Sequence, residues 1–391
     1  MKFVNPLALY LHVPFCTTKC SYCAFNTYIN LEHLIPVFVD ALCREISLIA
    51  GVTVQKHVGT VFFGGGTPTL LSPAQLGQVL ETVKACFELD DRAEISLEAN
   101  PNDLSLSYAQ ELLQVGFNRI SIGMQTADAG ELVLFRRRHD NDAVVKAVSA
   151  ARMAGFRNIN LDLIYGVPHQ SLDSWTNTVQ QALALRPTHL SLYALTVEES
   201  TPMYSWVERG VVPTPDDDLA ADMYEQAEKL LAEVGFVQYE ISNWSLPGMP
   251  CEHNLQYWRS LPYLGFGPGA HGFADGVRYS NLLSPHQYIR QIMDASSGEA
   301  LMFPISPAVQ EWTRLESADE IAETLIMGLR LIDEGIDLEQ FTQRFGRDLL
   351  EIHGDAITRF IHQGLLILDE GSVRLTARGR LLSNIVFREF V

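Results

Sequence analysis

Short apolar, β-branched or aromatic runs recur along the first half of the chain: LALYLHV at 7–13, TVFF at 60–63, EISLE at 94–98, RISIGM at 119–124, INLDLIYG at 159–166 and HLSLYAL at 189–195. Segments whose apolar residues return at helical spacing separate them, over 34–49, 73–87, 107–115, 141–154 and 172–185. Strand alternating with helix predicts βα units and a parallel sheet, because a parallel pair needs a crossover long enough to return the chain. Six such units form either an open doubly wound sheet or an incomplete (β/α)6 barrel. No GxGxxG follows the first strand, which weighs against a dinucleotide-binding sheet.

The positions of the chemically unusual residues favour the barrel. Cys16, Cys20 and Cys23 follow the first strand and GGGTP (64–68) the second. Glu98 and Asn100 end the third, Gln125 the fourth, Asp162 lies within the fifth and Tyr193 closes the sixth. In a parallel barrel those strand ends open on one face, where active sites are built. From about residue 300 the character changes to helices followed by a short hairpin, in winged-helix style. The expected division is therefore a core over 1–299 and a small α+β domain over 300–391. Residues 301–391 carry nine Arg, no Lys and fifteen Asp or Glu, so the usual use of a winged helix, DNA binding, is not expected. Docking to the barrel or to a protein partner fits better.

Charge and cysteine usage narrow the setting. A formal charge of −19 repels phosphate backbones, so no nucleic-acid partner is expected. The N-terminal stretch MKFVNPLALYLHVPFC has no cleavage site of small residues, and no apolar run is long enough to span a bilayer. Cys43, Cys86 and Cys251 are scattered, which argues against a disulfide framework and for a reducing cytoplasm.

CTTKCSYC (16–23) places three thiols at a spacing suited to a soft metal. Zinc would want a fourth ligand; His12 is near but falls within the first strand. In a [4Fe–4S] cluster three thiolates leave one iron open, and a ligand with adjacent amine and carboxylate groups could chelate it. A trio of buried cysteines that merely packs is the bland alternative, weakened by the tight spacing.

This motif resembles the C-x3-C-x2-C signature of the radical S-adenosylmethionine (SAM) superfamily, and GGGTP resembles its glycine-rich segment. YLHVPFC, FFGGGTPT, SLEANP, SIGMQT, FRRRH and NLDLIYGVP occur in the order of the group that holds oxygen-independent coproporphyrinogen III oxidase and the HemW-type heme chaperones. The resemblance covers nearly the whole chain. It implies that Cys16, Cys20 and Cys23 hold the cluster, and that Tyr10, Tyr22, Gly65, Gly66, Thr67, Glu98, Gln125, Arg137, Asp162 and Ala194 form the SAM site.

Two departures separate this chain from the oxidase. The oxidase resembles C-x3-C-x2-C-x-C, whereas Phe25 stands at the last of those positions here, and only a few residues precede the first strand. CEHNLQYW (251–258) resembles the H-N-x-x-Y-W heme motif of the chaperones. That implies heme contact by His253, Asn254, Tyr257 and Trp258, with His253 on the iron. Chemistry alone would read His253 as a hydrogen-bonded core histidine and Cys251 as a buried spectator. YLGFGPGAHGF (263–273) resembles the turn that follows the motif. The implied function is a chaperone that passes heme to an acceptor protein, one of a respiratory chain being a candidate, with transient membrane contact through that acceptor. The alternative is a radical SAM oxidoreductase acting on coproporphyrinogen III or another tetrapyrrole. No catalytic residue is assigned, and dimerisation is left open.

Overall fold

A computed structural model describes residues 6–295 and 301–391. Six parallel strands pair in chain order: β1 (Leu7–Val13), β2 (His57–Gly65), β3 (Glu88–Ala99), β4 (Arg119–Gln125), β5 (Asn158–Tyr165) and β6 (His189–Ala194). Helices Ile35–Val52, Pro73–Cys86, Leu106–Val115, Asn141–Ala154 and Leu172–Ala184 return the chain between them. Their starts are written locally: Ser72, Ser105, Asp140 and Ser171 each accept a backbone N–H of the first turn. Leu9, Leu11, Val61, Phe63, Leu97, Ile122 and Leu163 pack outward against these helices in one continuous core. The opposite face of each strand turns into the barrel, which is where Tyr10, His12, Glu98 and Asp162 fall by the two-residue alternation.

The barrel does not close. β6 continues into antiparallel β8 (Asn243–Ser245) and β7 (Val237–Glu240). On the other edge β1 pairs in parallel with β9 (Tyr263–Phe266), which leads to β10 (His271–Ala274), β11 (Val277–Asn281) and β12 (Val309–Arg314). A two-residue turn, Asp275-Gly276, joins β10 to β11 with both residues at positive φ, as the Asp-Gly pair favours. The architecture is thus an incomplete parallel (β/α)6 barrel within a sheet of twelve strands among the described residues.

A second hydrophobic cluster, built on Ile321, Leu325, Phe341, Ile357, Phe360 and Val373, holds the small C-terminal unit. There helices Ser317–Gly328, Leu338–Phe345 and Leu349–His362 pack on an antiparallel sheet of β13 (Ile336–Asp337), β14 (Leu366–Asp369) and β15 (Ser372–Leu375), a winged-helix-like arrangement. The expected division at 299/300 lies outside the described residues, and β12 beyond it belongs to the large sheet. Among the described residues no helix is long and apolar enough to cross a membrane.

One buried carboxylate ties the barrel to its antiparallel extension. Glu45, on the first long helix, accepts from Gly267 N at 2.9 Å, Asn281 Nδ2 at 3.0 Å, Tyr288 Oη at 2.7 Å and Ser306 Oγ at 2.6 Å. Burial pushes its carboxyl above the ordinary range, and these donors pull it back. Removing the acceptor would leave Gly267 N, Tyr288 Oη and Ser306 Oγ without it, while Asn281 Nδ2 keeps Gly267 O at 3.0 Å. Glu45→Ala should therefore cost about 3 kcal/mol or more in urea unfolding, with Glu45→Gln costing less because one oxygen still accepts. A loss below about 1 kcal/mol for the alanine variant would show that the contact is not structural.

Candidate functional site

The loop after β1 is anchored on both sides. Cys16 N donates to Tyr28 O at 2.9 Å and Tyr28 N to Pro14 O at 2.7 Å. Across the barrel Ser21 N donates to Phe135 O at 3.1 Å, and Met203 N to Ser21 O at 2.9 Å. The three thiols so placed line a cavity of about 420 Å³ together with Tyr22, Gly65, Gly66, Thr67, Glu98, Gln125, Arg137, Asp162 and Ala194. Six strand ends converge on this mouth, as the barrel reading expects.

The glycines are there for approach. A Cβ on Gly66 would lie 2.6 Å from Phe15 O and 3.1 Å from Cys16 Sγ, and Gly65 has φ +109°. Thr67 Oγ1 donates to Cys16 Sγ at 3.5 Å, and Arg137 spans Cys20 Sγ at 3.4 Å and Gly123 O at 2.9 Å. Burial pushes the Cys16 and Cys23 thiols up, so metal binding there must release protons. Among the described residues no three of His, Cys, Asp or Glu converge as a single ion would require. A cubane does not require it, because each thiolate takes a different iron.

The floor of the cavity is acidic. Glu98 accepts from Gly65 N at 3.0 Å; burial, and then the neighbouring Asp162, push its carboxyl up to about 7. Asp162 accepts from Ser121 Oγ at 2.9 Å and Asn160 Nδ2 at 2.8 Å, and burial raises it too. Gln125 holds φ +68°, a conformation that non-glycine residues seldom adopt and that clusters at functional sites. Arg137 Nε is buried with no partner. Half-buried acids, a guanidinium with an unspent N–H and a glycine cradle beside the thiols suit a ligand bearing an amine, a cationic centre and a carboxylate. SAM has all three, so the donor set fits both the cluster and SAM.

A second cavity, of about 570 Å³, adjoins the first, and Ala24 and Phe25 line both. Its walls include Tyr10, His12, Tyr257, Trp258, Tyr263, His271, Phe273 and Arg278, with Thr324 and Met327 from the C-terminal unit. The resemblance set Tyr10 among the SAM residues, but the structure places its ring on this second cavity. Tyr10 Oη lies 3.0 Å from His12 Nδ1, and the charge of Glu98 adds to burial in raising its hydroxyl. Ala24 and Phe25 thus stand where the two cavities meet.

His253 sits differently from an open iron ligand. It is buried behind the wall, with Nδ1 2.8 Å from Thr60 Oγ1 and Nε2 2.8 Å from the Tyr257 hydroxyl, and its ring stacks on Phe62. Burial, and then Arg119, lower it to about 3, so the ring is neutral. Both nitrogens are engaged, and in this arrangement its role is to hold Tyr257. Asn254 likewise lines neither cavity, whereas Tyr257 and Trp258 of the same helix, Glu252–Trp258, do. Cys251 is buried and points its thiol at Glu94 Oε1, 3.5 Å away. Of the cavity residues, Tyr263 and Phe273 open and close the YLGFGPGAHGF stretch, whereas Arg278 and Thr324 carry no motif of their own.

Residues 10–182 match the radical SAM superfamily and residues 315–382 the HemN C-terminal domain. The chain is 34% identical over 387 residues to the heme chaperone HemW of Lactococcus lactis subsp. lactis, covering 99% of this chain and 98% of that one. It is 34% identical to HemW of Bacillus subtilis, with 98% of each chain covered. To the mitochondrial radical S-adenosyl methionine domain-containing protein 1 of Bos taurus it is 36% identical, with 95% of this chain and 84% of the other covered. The solved structure of coproporphyrinogen III oxidase (HemN) from Escherichia coli superposes with a TM-score of 0.84 at 25% identity, covering 99% of this chain and 90% of that one.

The thiol assignment has a direct check. Anaerobic reconstitution should give about four irons and four sulfides per chain. Cys16→Ala, Cys20→Ala or Cys23→Ala should abolish the charge-transfer absorbance, while Cys43→Ala and Cys86→Ala should leave it. Stoichiometric zinc without iron in anaerobically purified protein would contradict the assignment.

Proposed function

The chain belongs to the HemW family of radical SAM proteins, and we propose that it binds heme beside a SAM-liganded [4Fe–4S] cluster and passes the heme to an acceptor protein. The observation that carries this reading is the aromatic cavity next to the thiol site, walled by Tyr257 and Trp258 of the HNLQYW stretch. Likeness over almost the full length to proteins named heme chaperones supports it.

In this reading Cys16, Cys20 and Cys23 hold three irons of the cluster and leave the fourth to SAM. When bound, cluster and SAM together supply one-electron chemistry; the protein's part is positioning. Gly65, Gly66 and Thr67 bring backbone close to the ligand, Glu98 and Asp162 accept from its N–H and O–H groups, and Arg137 offers its unspent N–H to a carboxylate. Tyr22 and Gln125 close the sides, and Ala194 lies at the rim. On the other side of Tyr10, Tyr257 and Trp258 present apolar faces to a flat macrocycle. His253 acts through Tyr257. The acceptor is a heme protein, with an enzyme of a respiratory chain the first to test; any membrane contact would come through it, and the setting is the cytoplasm.

The oxidase reading has its own support in the structural likeness to HemN. Phe25 weighs against it. The side chain is 69% exposed where the oxidase pattern has a further cysteine, and a phenyl ring can neither ligate metal nor move a proton. With cluster, SAM and reductant intact, the protein should form no protoporphyrinogen from coproporphyrinogen III, and Phe25→Cys alone should not confer that activity. Multiple turnovers by the unmodified chain would establish the oxidase reading instead.

Glu98 supplies a pH test. Its folded pKa, about 7, lies above the ordinary carboxyl value, so the group is neutral below that pH and a charged, acceptor-only carboxylate above it. SAM affinity should therefore strengthen as pH rises from about 6 to 8, and Glu98→Gln should flatten that dependence. A wild-type profile that is flat, or that falls with pH, would remove Glu98 from the SAM contacts.

A further inference from the structure

Heme needs three things from a protein: room for a flat apolar ring, a donor for iron, and hydrogen-bond donors for its carboxylates. We propose that the second cavity is the heme site and that His271, not His253, is its iron ligand. This rests on the heme-binding reading above and adds to it the iron ligand and the groups that meet the propionates.

Room is the first observation. About 570 Å³ lies within the range of roughly 300–1,000 Å³ usual for cofactor pockets, and Tyr257, Trp258, Tyr263 and Phe273 give it aromatic walls.

The donor follows from what the histidines are doing. His12 and His271 are the histidines that line the cavity. His12 spends both nitrogens, one 3.0 Å from Tyr10 Oη and the other 2.9 Å from Asn26 O. His253, behind the wall, is likewise engaged at Thr60 and Tyr257. His271 opens β10, is exposed, and its ring makes no hydrogen bond among the described residues. Its lone pair is free, and it faces the cavity.

The third observation is a set of unspent donors. Trp258 Nε1, Ser260 Oγ, Arg278 Nε and Thr324 Oγ1 are buried around this cavity without a partner. Buried donors are rarely left so, and a carboxylate-bearing ligand or ordered water at the cavity would satisfy them. Arg278 and Arg344 also line it, held by Glu323 at 2.5 Å and Glu320 at 2.8 Å, both on helix Ser317–Gly328. A heme propionate meeting either arginine exchanges one carboxylate for another, and the C-terminal unit thereby forms one wall of the site.

The test is hemin titration of the full-length, cluster-loaded protein, read by the Soret band, by electron paramagnetic resonance and by the cluster absorbance. His271→Ala should weaken binding by roughly tenfold or more and lose the imidazole signature, and added imidazole should restore that signature. His271→Cys should convert the spectrum to a thiolate type, which a merely structural role could not do. His253→Ala should keep the imidazole signature. Unchanged cluster absorbance reports that each variant is folded. A wild-type heme spectrum and affinity in both His271 variants, or loss of the imidazole signature in His253→Ala, would overturn the ligand assignment while leaving heme binding intact. Failure of the unmodified chain to bind hemin would overturn the heme reading itself.

Discussion

The pairing of β1 with a partner on each edge is the constraint on which both cavities depend. On one side its register sets Val13 against Gly65 of β2, so the cysteine loop leaves the strand directly beside the glycine segment. On the other side Tyr10 pairs with Gly265 of β9, which starts the antiparallel extension. A slip of one residue would turn Tyr10 and His12 out of the barrel and drive Leu9 and Leu11 in. The near-complete burial of LALYLHV makes that slip costly, so the strand's apolar alternation fixes the chemistry at its end.

Buried acids in this fold divide by how fully they are satisfied. Glu45 has a donor for every direction and serves packing. Glu94 accepts from the backbone N–H groups of Glu252 and His253 and from the Cys251 thiol, which seats the start of the HNLQYW helix. Glu98 has one donor, Gly65 N, and a carboxylate neighbour, and it opens on the thiol cavity. Glu45 and Glu94 are buried, and Glu98 is half-buried. What marks Glu98 as a site residue is the unmet demand for donors, which a ligand can supply.

Much of this was legible in the sequence, for physical reasons that also show where legibility stops. Strands buried on both faces read as continuous apolar runs, so the spans of β1 and β4 to β6 were visible to within a residue or two, while β2 and β3 extend past their apolar runs into polar ends. The cysteine spacing and GGGTP carry their meaning locally, because the thiols must converge over a few residues. The strands β7 to β12 are short and lie at the edges, where every pairing except that of β9 with β1 is antiparallel, with too few residues for an alternation to register. Period two put Tyr10 and His12 on one face of β1 but could not say which of two adjoining cavities Tyr10 would line. His253 shows the same limit: a motif names a residue type, and only the fold shows that Thr60 and Tyr257, one of them 193 positions away, already hold both its nitrogens.

Phe25 joins the two halves of the argument. It belongs to the cysteine loop by sequence, yet its ring lines the second cavity as well as the first. Between the two cavities that side chain is apolar and redox-inert, and Tyr10 lines the second cavity with its hydroxyl pushed up by burial and by Glu98. Neither residue offers a thiol, an imidazole or a carboxylate at the junction. A cysteine at that position would offer a nucleophile and a metal donor to both sides. With phenylalanine in place, neither Ala24 nor Phe25, the residues that line both cavities, carries a reactive group.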